Sequence, residues 1–480
     1  MSQSKTKTFY TTEALPLWRK LKGPVESFVV LDEKEIIAQA VETGCIEVGA
    51  FRDCAVFSDT RESLEQKHLR YEAKRAQDVL DILEQSQIEE GHEPTLEDKF
   101  AALFAQQTIG RAVLVEAARK YGNEQADGTV TPRHELLYTT VLTTSQGELF
   151  PQPDQKIAAY AMTKVLQKIQ EIDPSQAVAL TEEYPFLKEE NAISAEIKLS
   201  FEKEREWHDT LHQKYDSVFA GVREEMSEEA LSNATLAAAT TLFMKQAGFP
   251  METEATEGWT VIERDDVAGF RVEPGLRQVI CGRRKAEITQ SNFEKLMVHE
   301  IGVHATRAEN GYRLGYEAVQ TGLPGYQEGE EGLGLLMENL WTGDELDKVG
   351  RDHFRYLAVC YADGQLDGEK HNEQDTLRFI SRLIAAQKPD GLSDDIALST
   401  ARKTGVDHVK RAFRGMPEGV IMYSNLAYLA GKLEIVGLIN TSNMSAVQLL
   451  AYVQRGKFSP FDEMNVSLMQ EAGEPTDGWL

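Results

Sequence analysis

Cysteine is sparse in this 480-residue chain: four, at positions 45, 54, 281 and 360, with no Cys-x-x-Cys spacing. That excludes a disulfide framework and leaves thiolates a poor source of metal ligands, so a reducing compartment is expected. Long apolar runs are also missing. No stretch nears the ~20 residues of a membrane span, and no apolar core follows the opening Met-Ser-Gln-Ser-Lys-Thr-Lys-Thr, so a cytoplasmic protein is expected. Basic residues are in deficit, 51 against 78 acidic, for a net charge of −27. Such a surface argues against nucleic-acid or anionic-membrane partners, both of which rely on basic groups. Internal repeats and low-complexity tracts are absent.

What is present reads as a globular chain. Apolar residues make up 41% and charged residues 27%, an ordinary balance. The length predicts two or three packed units: a helical region at 1–125, a second at 126–250 that packs on the core, and a third at 251–480, which holds the chemistry-bearing motif described below. Helical periodicity runs over 61–87, 95–120, 155–172, 193–215 and 228–247, with a Gly/Asn/Asp-rich loop at 121–133. A break at 248–258 precedes three short β-branched segments, 259–263, 269–273 and 278–281, that read as strands. Helices fill most of 347–455. The expected class is α+β, mostly helical, with one small sheet.

Chemistry concentrates in Leu296-Met-Val-His-Glu-Ile-Gly-Val-His304. Two imidazoles offer the nitrogen ligands that zinc prefers, and a carboxylate beside the first can take a proton from water. His299 and His304 are five residues apart, and on a regular α-helix that separates them by roughly 140°, too far to share one ion. A π-turn, with its i to i+5 pairing, reduces the angle to roughly 50°. Gly302 between them eases such a distortion, so a bulge or kink is predicted at residues 301–303.

A third ligand is expected from a glutamate on a later helix. After a Gly/Pro-rich turn at 321–325, residues 330–341 have helical spacing, with Leu333, Leu336, Met337 and Leu340 as the core stripe. Glu331 is then placed in the first turn, where the helix dipole favours an acid; ordinary charge compensation is its plainer role. His208 and His212 form a second pair at i, i+4 spacing, without a glutamate after the first histidine, and are read as solvated or packing residues.

His299-Glu-Ile-Gly-Val-His304, the Asn310-Gly311 pair and Glu330-Glu-Gly-Leu333 resemble the signature of the microtubule-associated tyrosine carboxypeptidase family, whose bacterial members carry a Gln-Glu-Gly-Leu-Ala motif. The resemblance implies a zincin-like core and a zinc-dependent carboxypeptidase holding one Zn2+ per chain through His299, His304 and Glu331, with Glu300 as general base. Gly334 replaces the motif's alanine. An additional Gln327-Glu-Gly329 upstream leaves Glu328 as an alternative ligand. Arg411-Ala-Phe-Arg-Gly415 and Tyr428-Leu-Ala-Gly431 resemble later elements of the family, so the recognisable part spans about 294–431.

The reading implied is hydrolysis of the C-terminal residue of a peptide or protein. That requires a cation for the terminal carboxylate, best a bidentate arginine. Arg414 is the first candidate and Arg411 the second, with a surface ion pair an equal alternative for either. Tyr428 is a candidate hydrogen-bond donor to the tetrahedral oxyanion, and otherwise a core residue. Basic patches at 283–285 and 402–414 are the candidates for contacting an acidic substrate. The other readings are a zinc endopeptidase or aminopeptidase, and a scaffold that binds a partner without hydrolysis.

Overall fold

A computed structural model describes Gln77 and residues 95–96, 98–103, 105–106, 109, 150–188, 198–226, 230–253, 256–283, 287–413, 416 and 419–474. The segments expected at 61–87 and 121–133 lie outside them, apart from a helical Gln77. The helix expected at 95–120 is described only near its start. There the Thr95 hydroxyl accepts from the Asp98 backbone N–H at 3.2 Å and the Asp98 carboxylate from that of Thr95 at 2.9 Å, a reciprocal cap.

The described residues are mostly helical. Helix α1 (Gln155–Ile172) coincides with its expected span because Asp154 caps it, accepting from the Lys156 and Ile157 N–H groups. Helices α2 (Pro174–Glu183) and α3 (Phe201–Met226) follow, α3 running eleven residues past the expected end at 215. Strand β1 (Ala230–Leu231) and α4 (Asn233–Gln246) occupy the segment expected to be wholly helical. Its start is drawn into an antiparallel pairing with β5 (Ile288–Thr289).

The three predicted strands form one sheet: β2 (Thr260–Ala268), β3 (Phe270–Glu273) and β4 (Gln278–Arg283), in the order β2-β4-β3. β4 is parallel to β2 and antiparallel to β3, with Val272 opposite Val279. β3 is therefore an edge strand. Gly269 makes the reversal between β2 and β3, at a φ of 81° that a β-carbon disfavours.

Beyond the sheet come α5 (Gln290–His299), a π-helical turn (Glu300–Ala305), α6 (Thr306–Arg313), α7 (Glu317–Thr321) and α8 (Tyr326–Thr342). Then follow α9 (Arg351–Ala362), α10 (Glu373–Ala385), α11 (Asp395–Phe413), α12 (Leu426–Thr441), α13 (Ala446–Val453) and α14 (Glu463–Ala472). One core, built around Phe219, Phe243, Phe293 and Leu336, joins α3, α4, the sheet, α5 and α8. A second, around Val165, Tyr356, Phe379 and Phe413, joins α1 to α9, α10 and α11. Each such fully buried side chain contributes about 1.5–3 kcal/mol. No helix among the described residues is long and apolar enough to cross a membrane.

α8 begins four residues before the expected start at 330, so Glu331 lies beyond the first turn, where Glu328 sits instead. Three glycines in the first half of α8 should discourage a helix; packing reverses that preference. A β-carbon on Gly332 would land in the Gly431 backbone, and one on Gly431 in the Glu328 carbonyl, so α8 and α12 cross at backbone contact. Gly431→Ala should cost about 2–3 kcal/mol through overpacking. A denaturant-unfolding midpoint equal to that of the parent would refute the close crossing.

Candidate metal centre

α5 starts with Thr289 accepting from the Asn292 N–H at 3.3 Å and runs apolar residues into the core, which buries its far end at His299. There the helix widens. Glu300–Ala305 is one π-turn, within which the expected distortion at 301–303 falls. Thr306 reaches back five residues, its N–H and its hydroxyl both donating to the Ile301 carbonyl, the hydroxyl at 2.9 Å. The Gly302 carbonyl is satisfied from outside the helix by Gln454 Nε2 at 2.5 Å. Gly302 also admits Tyr215, whose Oη would lie 2.9 Å from an added β-carbon. The wider turn brings the His299 and His304 rings to 5.0 Å between centroids.

The other wall is one face of α8. Glu331 Oε2 lies 3.6 Å from His299 Nε2 and 3.9 Å from His304 Nε2, and one ligand atom from each of the three groups lies within 4.8 Å of the other two. A tetrahedral ion with ligands at 2.0–2.2 Å needs its donors ~3.4 Å apart, so small rotations complete the set. Gly334, one turn beyond Glu331, leaves room for the His299 ring. A β-carbon there would stand 2.6 Å from Cε1, which explains glycine where the motif has alanine.

Two carboxylates missed in the sequence orient the imidazoles. His299 Nδ1 donates to Glu338 Oε1 at 2.7 Å, and His304 Nδ1 to Glu330 Oε1 at 2.5 Å. Burial works against ionisation of Glu338, but His299 and then Lys295, 3.0 Å away, hold it below the usual carboxylate range. Burial opposes Glu330 too; Lys457, His304 and Arg307 outweigh it and hold its pKa well below that range. Ionised carboxylates only accept, so both Nδ1 atoms are the donors to them, and the two Nε2 atoms, on the side of Glu331, are the nitrogens placed to take an ion. Spacing held the clue: seven residues bring Glu338 within ~20° of Glu331 on one helix face.

Glu300 Oε2 lies 4.0 Å from His304 Nε2. Burial raises its pKa against the pull of His304 and His299, giving a carboxylate held beside the two nitrogens and disposed to take up a proton. Glu328, the alternative ligand, stands apart: burial and then Glu434 push its pKa up to about 7. The cavity over the centre, about 770 Å³, is lined by β3, α8, the start of α9 and Tyr428 of α12. Arg414 lies outside the described residues. Arg411 does not line the cavity; it forms a half-exposed ion pair with Asp407 at 3.4 Å, and that corrects its candidacy. Residues 402–413 do not line it either. Its cations come instead from Arg271, Lys295, Lys348, Lys457, Lys432 and α9. His212 stacks on Trp341 at 4.3 Å and His208 on His212 at 4.2 Å, a packing role.

Two imidazoles and one carboxylate, each imidazole fixed by an acid behind it and a free carboxylate alongside, define a candidate metal site with the donor set of a metallohydrolase. The model of the microtubule-associated tyrosine carboxypeptidase family matches residues 202–362, from α3 to the end of α9, about a third of the chain. Comparisons with curated proteins and with solved structures found no match.

Glu338→Ala should weaken zinc binding ~10–100-fold, measured by competition with a chromophoric chelator; unaltered affinity would refute the orienting role. For Glu328, a folded pKa near 7 against an ordinary 4.5 means the folded state holds the proton more tightly. The stabilisation is complete below the unfolded pKa and is lost as pH rises through the folded one. Glu328→Gln should therefore stabilise the protein at pH 8, by on the order of 3 kcal/mol, and leave pH 4 stability and zinc content unchanged. Equal gains at both pH values, or lost zinc, would contradict the placement.

Proposed function

We propose that the chain is a zinc-dependent metallocarboxypeptidase with a zincin-like core, cytoplasmic, acting on the C-terminus of a peptide or protein. The observation that carries it is the convergence of His299, His304 and Glu331, with Glu300 beside them, in the segment that matches the carboxypeptidase family. A zinc ion held by the three ligands would polarise the scissile carbonyl and make a water acidic enough to attack near neutral pH.

The protein's own groups do the rest. Glu300 takes the proton of the attacking water and returns it to the leaving amine. Its buried position lets one carboxyl serve in both directions. Glu330 and Glu338 keep both Nε2 atoms aimed inward. Tyr428, on the cavity wall, is the candidate donor to the oxyanion. Residues 270–274 line the cavity along β3, whose outer edge pairs with no strand among the described residues. An extended substrate can add there as a further strand, its backbone held across the centre.

The same edge would seat an internal stretch of chain, which makes an endopeptidase the second reading. Glu300→Gln should keep the fold and one zinc per chain while turnover falls by at least ~10²-fold. Peptides with free C-termini should be trimmed by one residue and their C-terminal amides spared, as read by mass spectrometry. Internal cleavage of the amides would establish the second reading, and freshly purified protein without zinc would rule out both.

A further inference from the structure

We propose that Arg355, in the second turn of α9, is the group that grips the substrate's terminal carboxylate. The proposal rests on the carboxypeptidase reading and supplies the cation that reading requires. Arg355 lines the same cavity as His299, Glu300, His304 and Glu331.

Most of the cavity's other cations have acidic partners. Arg271 pairs with Glu273 at 2.5 Å, Lys295 with Glu338 at 3.0 Å and Lys348 with Asp344 at 2.7 Å. Lys457 is bound to Glu330, and Lys432 stands 3.9 Å from Asp352. Arg355 and its neighbour Arg351 have no ion-pair partner among the described residues, and Arg351 is exposed at the rim. Arg355 differs in being partly buried, with an Nε that no acceptor reaches. An unmet buried donor is costly, and an incoming carboxylate would relieve that cost.

The guanidinium is also held in place. It lies over the ring of Tyr428, 4.9 Å from the centroid, a cation–π contact that holds the group against the cavity wall, and a guanidinium is the side chain whose fork can give a carboxylate two parallel hydrogen bonds. Arg411 and Arg351 add positive charge around it, and Asp407, the acid whose charge acts on it, is already paired with Arg411. In a chain of net charge −27, this is a local positive field on the wall of the proposed active cavity. It suits a carboxylate, and an amide or an internal peptide bond would gain nothing from it.

The test separates this proposal from the reading beneath it. The probe is Ala-Ala-Ala-Tyr, as free acid and as C-terminal amide, its terminal residue taken from the family's name. Binding is measured by calorimetry to zinc-loaded full-length protein carrying Glu300→Gln, which holds the peptide without turnover. That protein should prefer the free acid ~10–100-fold, the worth of a charge-assisted pair of hydrogen bonds. Adding Arg355→Met should reduce the preference to within about twofold with zinc content unchanged, and Arg355→Lys, which keeps charge but loses the fork, should leave an intermediate preference. A full preference in either Arg355 variant overturns the proposal while the carboxypeptidase reading stands. A Glu300→Gln protein that binds both forms alike, or neither, overturns the carboxypeptidase reading itself.

Discussion

One turn of helix, wound too wide, sets the geometry of the centre. Had Glu300–Ala305 continued the α-helix of α5, His299 and His304 would point ~140° apart and no ion could touch both. The π-turn removes that divergence and leaves a local defect in the hydrogen-bond ladder, which the surroundings repair. Gln454 donates to the Gly302 carbonyl, the Thr306 hydroxyl to that of Ile301, and Tyr215 fills the space beside Gly302. These repairs come from α3, from the residue after α13 and from the first residue of α6, so the distorted turn belongs to its surroundings as much as to its own six residues.

The opposite wall answers a different constraint. Glu331 must stand close to two imidazoles, and an acid there brings negative charge into a buried site. α8 can carry it because its glycines let α12 press against its back, while Glu330, one residue away, is neutralised by Lys457, Arg307 and His304. One helix thus presents Glu331 toward the proposed ion and two carboxylates, Glu330 and Glu338, to the rear of the imidazoles. The glycines that make the segment a poor helix by propensity are the ones that allow the helix to be placed where the site needs it.

Much of this was legible in the letters, for physical reasons that differ by element. The strands announced themselves through β-branched alternation, and α1 through its cap, because both signals are local. The π-turn was legible because two histidines five apart cannot serve one ion otherwise. Glu331 was legible through its motif, although its position within α8 was not: the helix starts four residues early on the strength of contacts with α12 that only the folded chain supplies. Glu330 and Glu338 were overlooked because an acid that orients an imidazole looks, in sequence, like any solvated acid. Arg411 failed as a candidate for the converse reason, since nothing in a string of letters shows which partner an arginine finds.

That last distinction bears on how an acidic protein can hold an anionic substrate end. The long-range field of −27 charges is screened within about 8 Å at physiological salt, so what an entering carboxylate feels is the cavity wall. On that wall most lysines and arginines are already paired with acids and present little net field. Among the described residues two guanidiniums on it have no ion-pair partner, those of Arg351 and Arg355, and Arg355, backed by a tyrosine ring, is the partly buried one. Charge pairing in the folded state, rather than the count of basic residues, decides where an anion can be held. The proposed recognition of a chain terminus is therefore compatible with a net charge of −27.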